Sequence, residues 1–280
     1  MKIARIAGPS GPAYAVRCGD DSWLDLGSLG IDVATTPELV AAAEALAALD
    51  VAALGGGAVD PVFLAPVVAP GKLMAIGLNY SDHIRETNSK PPVNPILFMK
   101  ANTSLTGPTD DIVVDAQMTA MADYETELTA IIGTRTKGIA KGEALRSVFG
   151  YTVANDVTAR DCMKSDGQLV RSKSFDTYCP IGPWITTADE VPDPQALGIR
   201  TLVNGEVRQD SSTSEMLFPV DHLIHFLARG MTLEPGDVLL TGTPHGVGFV
   251  MDPPRFLRPG DVVECEVEGL GRLRNRVVAP

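Results

Sequence analysis

The sequence lacks the marks of several common function classes. Its four cysteines, Cys18, Cys162, Cys179 and Cys265, form no C-x-x-C pair. This argues against a zinc knuckle, a thioredoxin-like redox site or a disulfide scaffold, and fits a reducing compartment. There is no G-x-x-x-x-G-K-[ST] loop, and no G-x-G-x-x-G opens a helical pattern, so nucleotide binding is unsupported. No G-x-S-x-G elbow marks a nucleophilic serine, and the four histidines offer no ordered Ser-His-Asp set. Positive charge is scarce: 23 Lys and Arg stand against 35 Asp and Glu, a net charge of −12. Such a balance repels nucleic acid and anionic membrane surfaces, so an anionic substrate must meet a local exception. The most apolar long stretch, ELVAAAEALAALDVAAL, is interrupted by Glu44 and Asp50, and the N-terminal residues contain no apolar signal core. The expectation is a cytoplasmic chain without export signal or membrane span.

What is present is enough apolar residue to build a core, 45% of 280 positions. Residues 1 to about 34 read as short strands broken by Gly-Pro and Gly-Asp turns, and Thr36-Pro37 opens an alanine-rich helix to about residue 49. A Gly- and Pro-spaced connection then leads into the apolar run LMAIGLNY. A domain boundary is expected there, with a small N-terminal β/α domain at 1–68 and a larger domain at 69–280. Beyond it PILFMK, DIVV, ETELTAIIG, SVFGYTVANDV, IRTLVNGEVRQ, GDVLLTGTP and DVVECEVEG read as strands between turn residues. Helical patterns are few: SDHIRET, MLFPVDHLIHFLARG and the short KGEAL. Strands this frequent, without helices between successive pairs, predict an α+β, β-rich roll or sandwich rather than a doubly wound sheet.

In the strand Asp123-Tyr-Glu-Thr-Glu-Leu-Thr, the period of two points Glu125 and Glu127 to one face. Their alpha carbons are then about 7 Å apart, at roughly 3.3 Å per residue. Two like charges so placed cost stability or raise a pKa unless something compensates them. The flanking AIIG disfavours full solvation, and a cation is the economical explanation. Asp156, on YTVAND, supplies a third carboxylate. An oxygen-only set without a His or Cys cluster suits Mg²⁺ or Mn²⁺ and fits zinc poorly. Spacing alone leaves a solvated strand face open as well, because E-x-E pairs are common.

In Asn79-Tyr-Ser-Asp-His-Ile-Arg-Glu, His83 and Glu86 are three apart and share a face of a helical turn. Histidine accepts a proton near neutral pH, and a neighbouring carboxylate fixes its tautomer, so the pair suits a general base with its orienter. A chance pair on a surface helix fits equally well. Arg160 and Lys173 are cations that gather near the carboxylates if the chain folds back, where they would receive a carboxylate or a developing enolate. Ordinary salt-bridge roles fit them too. The strand and glycine-rich turn GDVLLTGTPHGVG offers backbone N–H groups and the Thr243 hydroxyl to an anion, or is a plain tight turn.

Taken in order, GLNYSDHIRE, PILFMK, DYETELTAIIG, YTVANDVTARD, RSKSFDTYCPIGPW, VNGEVRQ and PGDVLLTGTPHGVG resemble the catalytic domain of the fumarylacetoacetate hydrolase family, over about residues 72 to 276. The specificity lies in the ordered set of seven. The resemblance is to bacterial members described as acylpyruvate hydrolases, hydroxyhepta-dienedioate isomerases or oxaloacetate decarboxylases, and to sugar-acid members. It implies a β-roll of mixed sheets and a homodimer. It also implies Glu125, Glu127 and Asp156 as ligands of Mg²⁺ or Mn²⁺, and His83 with Glu86 as a base dyad on a closing lid. Lys173 would meet the substrate oxyanion, Arg160 is the arginine of T-A-R-D, and Thr243 would help hold a substrate carboxylate or oxo group. Two residues depart from similar sequences: Met163 stands where many have Gln after T-A-R-D, and Leu169 where an aromatic follows D-G-Q. The first removes a polar contact used for C–C hydrolysis by the larger animal-type members.

The reaction so implied runs through a metal-bound enolate of a small 2-oxo acid. Hydrolysis of a C–C bond in a diketo acid is the first expectation, with decarboxylation, isomerisation or dehydration as alternatives. A non-catalytic oxo-acid binding protein is a more distant one, disfavoured by the presence of both His83 and Glu86. The segment from Ser81 to about Asn94 is polar, is stopped by Pro91 and Pro92, and has little apolar surface to pin it. It is expected to be mobile in the empty enzyme and helical over bound oxo acid.

Overall fold

The apolar run Thr126–Ile132 is buried at every position, which requires neighbours on both edges and both faces. It pairs antiparallel with Val148–Asn155 on one side and with Val238–Leu240 on the other. From this centre the sheet grows outward through Cys179–Thr187, Lys2–Gly8, Gly11–Arg17 and Trp23–Asp25 in one direction. In the other it continues through Leu73–Gly77, parallel to Val238–Leu240, to Ile96–Met99. The computed structural model describes residues 1–280 throughout. It is an α+β, sheet-rich fold.

A second sheet has the order Glu206–Ser212, Gly198–Val203, Val262–Val267, Gly271–Val278, Ile112–Val113. Val262–Val267 and Gly271–Val278 alternate buried with more exposed residues, the signature of a sheet with one packed face. The inward residues Val263, Cys265, Val267 and Leu273 join Leu128, Ala130 and Val153 of the first sheet in one apolar cluster. The helix Val220–Gly230 adds Val220, Leu223, Ile224, Leu227 and Ala228, the spacing of one apolar helical face.

Residues on the two sides of position 68 share the first sheet, because Lys2–Gly8 hydrogen-bonds to Cys179–Thr187. They share an apolar cluster too, in which Ile3, Tyr14 and Val16 pack with Leu73, Ile131 and Ile181. The alanine-rich helix starts at Thr36 as expected, under a Thr35–Glu38 capping box. It is two short helices, Thr36–Ala41 and Ala43–Ala47, rather than one. Alanine offers helical propensity but little area to bury, so the path follows the core contacts of Leu39, Val40 and Leu46. KGEAL is a 3₁₀ turn, Lys141–Ser147, and a helix at Arg160–Asp166 was not visible as a periodic pattern. No helix is long and apolar enough to cross a membrane.

Candidate active site

The register Thr126↔Asn155 fixes the centre of the site. Beyond this pair the Asp156 N–H donates to the Glu125 carbonyl at 2.8 Å, and the Glu125 N–H to Asn155 Oδ1 at 3.0 Å. Asp156 is thereby held beside Glu125, with Glu127 one pleat further on. Glu125, Glu127 and Asp156 are all buried, and each offers a carboxylate oxygen within 4.8 Å of the others. The plain solvated strand face is excluded.

Three cations surround these acids. Lys173 Nζ donates to Glu125 Oε2 at 2.7 Å, Asp156 Oδ2 at 2.5 Å and Thr158 Oγ1 at 2.8 Å. Arg160 Nε donates to Asp123 Oδ2 at 2.9 Å, and its Nη2 approaches Glu125 Oε1 to 2.6 Å. Lys100 Nζ donates to Asp156 Oδ1 at 2.6 Å and also reaches the carbonyls of Lys173 and Tyr178. Burial works against the charge on Lys173, but Asp156 and Glu125 outweigh it and hold the ammonium above its ordinary pKa. Burial likewise opposes ionisation of Glu125, yet Lys173 and Arg160 bring it down to about 2.

Glu127 is the exception. Its one hydrogen-bond donor is the Gly242 N–H at 2.6 Å. Burial, then Asp156 and Glu125, push its carboxyl well above the ordinary range. Four buried carboxylates, counting Asp123, face three cations, and the deficit of positive charge falls at Glu127. That deficit, an all-oxygen donor set and three converging carboxylates fit a hard divalent cation. Asp123 was not singled out in the sequence, although the period of two places it on the Glu125 face. It accepts from Arg160, Tyr124 N–H, Gly248 N–H and Phe249 N–H, and so anchors Arg160. Lys100 was not singled out either, although it closes the PILFMK motif.

The base candidate lies on the helix Ser81–Glu86. His83 Nδ1 and Glu86 Oε1 are 2.6 Å apart, and Glu86 Oε2 accepts from Gly246 N–H at 2.8 Å. A carboxylate only accepts, so Nδ1 carries the proton and Nε2 is the free ring nitrogen. The segment buries little apolar surface, as expected, but it also has polar anchors: Asp82, Glu86 and Asn79 tie it to neighbouring loops.

A cavity of 420 Å³ collects the site. His83, Glu125, Glu127, Arg160, Lys173 and Thr243 all line it, so six of the eight predicted residues meet at one space. Glu86 and Asp156 stand behind them. Met163 and Leu169 line it as well, with Ile76, Leu78, Ile96 and Phe249. Thr243 donates its hydroxyl proton to the Thr126 carbonyl and accepts from Gln209 Nε2, so in this arrangement it has no proton to offer a carboxylate. The other histidines stand elsewhere: His222 stacks between Phe218 and Phe226, His225 bonds the Ile139 carbonyl, and His245 contacts Asp82.

Similarity to known proteins extends over most of the chain. Residues 72–278 match the family model described as fumarylacetoacetate (FAA) hydrolase C-terminal. The mitochondrial oxaloacetate tautomerase of Rattus norvegicus is 46% identical over 217 residues, 77% of this chain and 69% of that protein. The solved fumarylacetoacetate hydrolase from the psychrophile Exiguobacterium antarcticum superposes with a TM-score of 0.89 at 38% identity, covering 100% of both chains. Maleylpyruvate hydrolase from Sphingobium sp. SYK-6, solved with manganese(II) and pyruvate, gives a TM-score of 0.82 at 32% identity, over 100% of this chain and 99% of that one. The chain is an enzyme of the fumarylacetoacetate hydrolase family.

Proposed function

We propose that the protein is a divalent-cation-dependent enzyme that interconverts the keto and enol forms of a small 2-oxo acid. The observation carrying this reading is the composition of the cavity wall. His83, whose Nε2 is left free by the bond from Nδ1 to Glu86, lines the same space as Glu125 and Glu127, and Met163 and Leu169 make part of its wall apolar, a poor holder for a hydrolytic water. The tautomerase relative supports the same choice.

Glu125, Glu127 and Asp156 would hold Mg²⁺ or Mn²⁺. When bound, the ion supplies Lewis-acid stabilisation of negative charge on the substrate's oxo oxygen. The chain's residues do the rest. Nε2 of His83 takes a proton from the carbon beside the oxo group, and the C–H electron pair becomes the C–C double bond as charge moves to oxygen. Glu86 holds the tautomer that leaves Nε2 unprotonated and supports the imidazolium that forms. The Lys173 ammonium is held charged by its carboxylate neighbours, and with its three N–H bonds taken by Glu125, Asp156 and Thr158 it offers the oxygen positive charge rather than a hydrogen bond. Return of the proton to that oxygen completes the enol.

A second reading, hydrolysis of a C–C bond in a diketo acid, is favoured by the dyad itself, because His83 with Glu86 is equally suited to activating water. The maleylpyruvate hydrolase neighbour points the same way. The deciding experiment follows oxaloacetate enol absorbance and acetylpyruvate cleavage with enzyme loaded with Mn²⁺. Enol–keto conversion well above that of Mn²⁺ alone, lost in His83→Ala, supports the tautomerase. Efficient cleavage without such conversion gives the hydrolase instead.

A further inference from the structure

The helix that carries His83 is six residues long and buries only His83 and Ile84. Isolated helices shorter than about 12–15 residues are marginal in water, so its seat must come from tertiary contacts. One end is tied through Asn79, whose side chain donates to the Phe218 and Thr241 carbonyls and accepts the Phe218 N–H. Arg85 pairs with Glu215 at 3.1 Å on the exposed side, and the remaining attachments run through two carboxylates. Glu86 bridges His83 Nδ1 and the Gly246 N–H. Asp82 plays no part in the reading above and is absent from the cavity wall, yet its carboxylate is fully engaged. Its Oδ2 accepts from Ser211 Oγ at 2.5 Å and His245 Nδ1 at 2.9 Å. Its Oδ1 accepts from the His83 N–H at 2.7 Å and the His245 N–H at 3.3 Å.

We propose that Asp82, with Ser211 and His245, is the positioning set that holds His83 at the cavity. Ser211 belongs to the strand Glu206–Ser212 of the second sheet. His245 lies in the turn that follows Val238–Leu240 of the first. Asp82 therefore fastens the base-bearing helix to both sheets at once, one residue from the base. Hydrogen bonds to a carboxylate are about twice as strong as neutral ones, and four of them saturate its acceptor sites. The arrangement matters because a misplacement of about 1 Å at a reacting group costs on the order of 10²-fold in rate. The proposal rests on His83 being the proton carrier.

The test combines amide hydrogen exchange with steady-state kinetics on the Mn²⁺-loaded enzyme. His245→Ala is the first variant, since this side chain is 44% exposed and its removal leaves the core untouched. Exchange over residues 82–88 should quicken by about tenfold, the effect of losing one charge-assisted bond. The kcat should fall by a similar factor, with KM within about twofold. Mn²⁺ affinity and exchange across Thr126–Ile132 should stay as in the parent. His245→Asn, whose amide N–H can take the place of Nδ1–H, should recover both rates. Asp82→Asn should exceed His245→Ala in both readouts. Unchanged exchange in Asp82→Asn and His245→Ala overturns the proposal. Faster exchange with unchanged kcat overturns it too, because the tie would hold the helix without serving the base. Full activity of His83→Ala in the same assay would sink the proton-carrier reading instead, and exchange, which needs no turnover, keeps the two failures apart.

Discussion

The charge deficit at Glu127 makes a prediction that needs no substrate. In the metal-free chain the Glu127 carboxyl is buried beside Asp156 and Glu125, and its pKa lies well above the ordinary value. A carboxyl whose folded pKa is raised contributes stability below its unfolded pKa, and that stability is lost as pH rises through the folded pKa. The metal-free protein should therefore weaken as pH climbs out of the ordinary carboxylate range, near 4.3, and through the raised value of Glu127. A cation that binds only the folded chain stabilises it by RT ln(1 + [L]/Kd), about 2.7 kcal/mol at a hundredfold excess over Kd. At roughly 2–4 °C per kcal/mol for a chain somewhat shorter than this one, the melting point should rise by about 5–10 °C. Because binding must displace the Glu127 proton, the shift should be larger at about pH 8.5 than at about pH 5.5. Glu127→Gln keeps the shape, removes the titrating group and removes a ligand oxygen's charge. Its metal-free melting point should lose the part of the pH trend that Glu127 supplies, leaving the smaller part due to Asp123, which burial also raises, and its Mn²⁺ shift should shrink toward zero. Differential scanning fluorimetry with EDTA or Mn²⁺ at the two pH values measures all four quantities. An equal Mn²⁺ shift in parent and variant, or a shift independent of pH in the parent, would refute the reasoning and remove Glu127 from the ligand set.

Three further outcomes are expected. His83→Ala should lose about 10²–10⁴-fold in turnover while Mn²⁺ affinity by calorimetry stays unchanged, since the imidazole moves a proton and does not coordinate. Lys173→Met leaves Glu125 and Asp156 short of a buried cation; breaking such a pair costs about 3–5 kcal/mol. The metal-free melting point should drop accordingly, Mn²⁺ should restore part of it, and turnover should not return. Met163→Gln places an amide in the cavity wall and should raise acetylpyruvate cleavage relative to oxaloacetate enolisation, measured as a ratio of kcat/KM values; an unchanged ratio would mean that this wall position does not steer the reaction.

Much of the site was legible because it follows short-range rules. The period of two put Glu125 and Glu127 on one face, and the three-residue spacing of His83 and Glu86 gave a pair that meets within one helical turn. The ordered motifs carried the family and, with it, Asp156, Lys173 and Arg160 as neighbours of those acids. The amphipathic spacing of Val220–Gly230 and the continuous apolar run at Thr126–Ile132 likewise announced a helix packed on one face and a central strand.

What the sequence could not carry depends on contacts between distant residues. Lys100, 56 positions from Asp156, becomes its partner only because Ile96–Met99 closes one edge of the sheet. Asp82 reaches Ser211 and His245 across 129 and 163 positions, which is why a segment that reads as unpinned is held by polar bonds. The chain before residue 68 gives no sign that its first strand pairs with Cys179–Thr187. Local composition determined which residues carry chemistry; the balance of buried charge, and hence which carboxylate needs a cation, was decided by the tertiary structure, since burial and pairing are properties of the folded surroundings and not of a residue's neighbours in sequence.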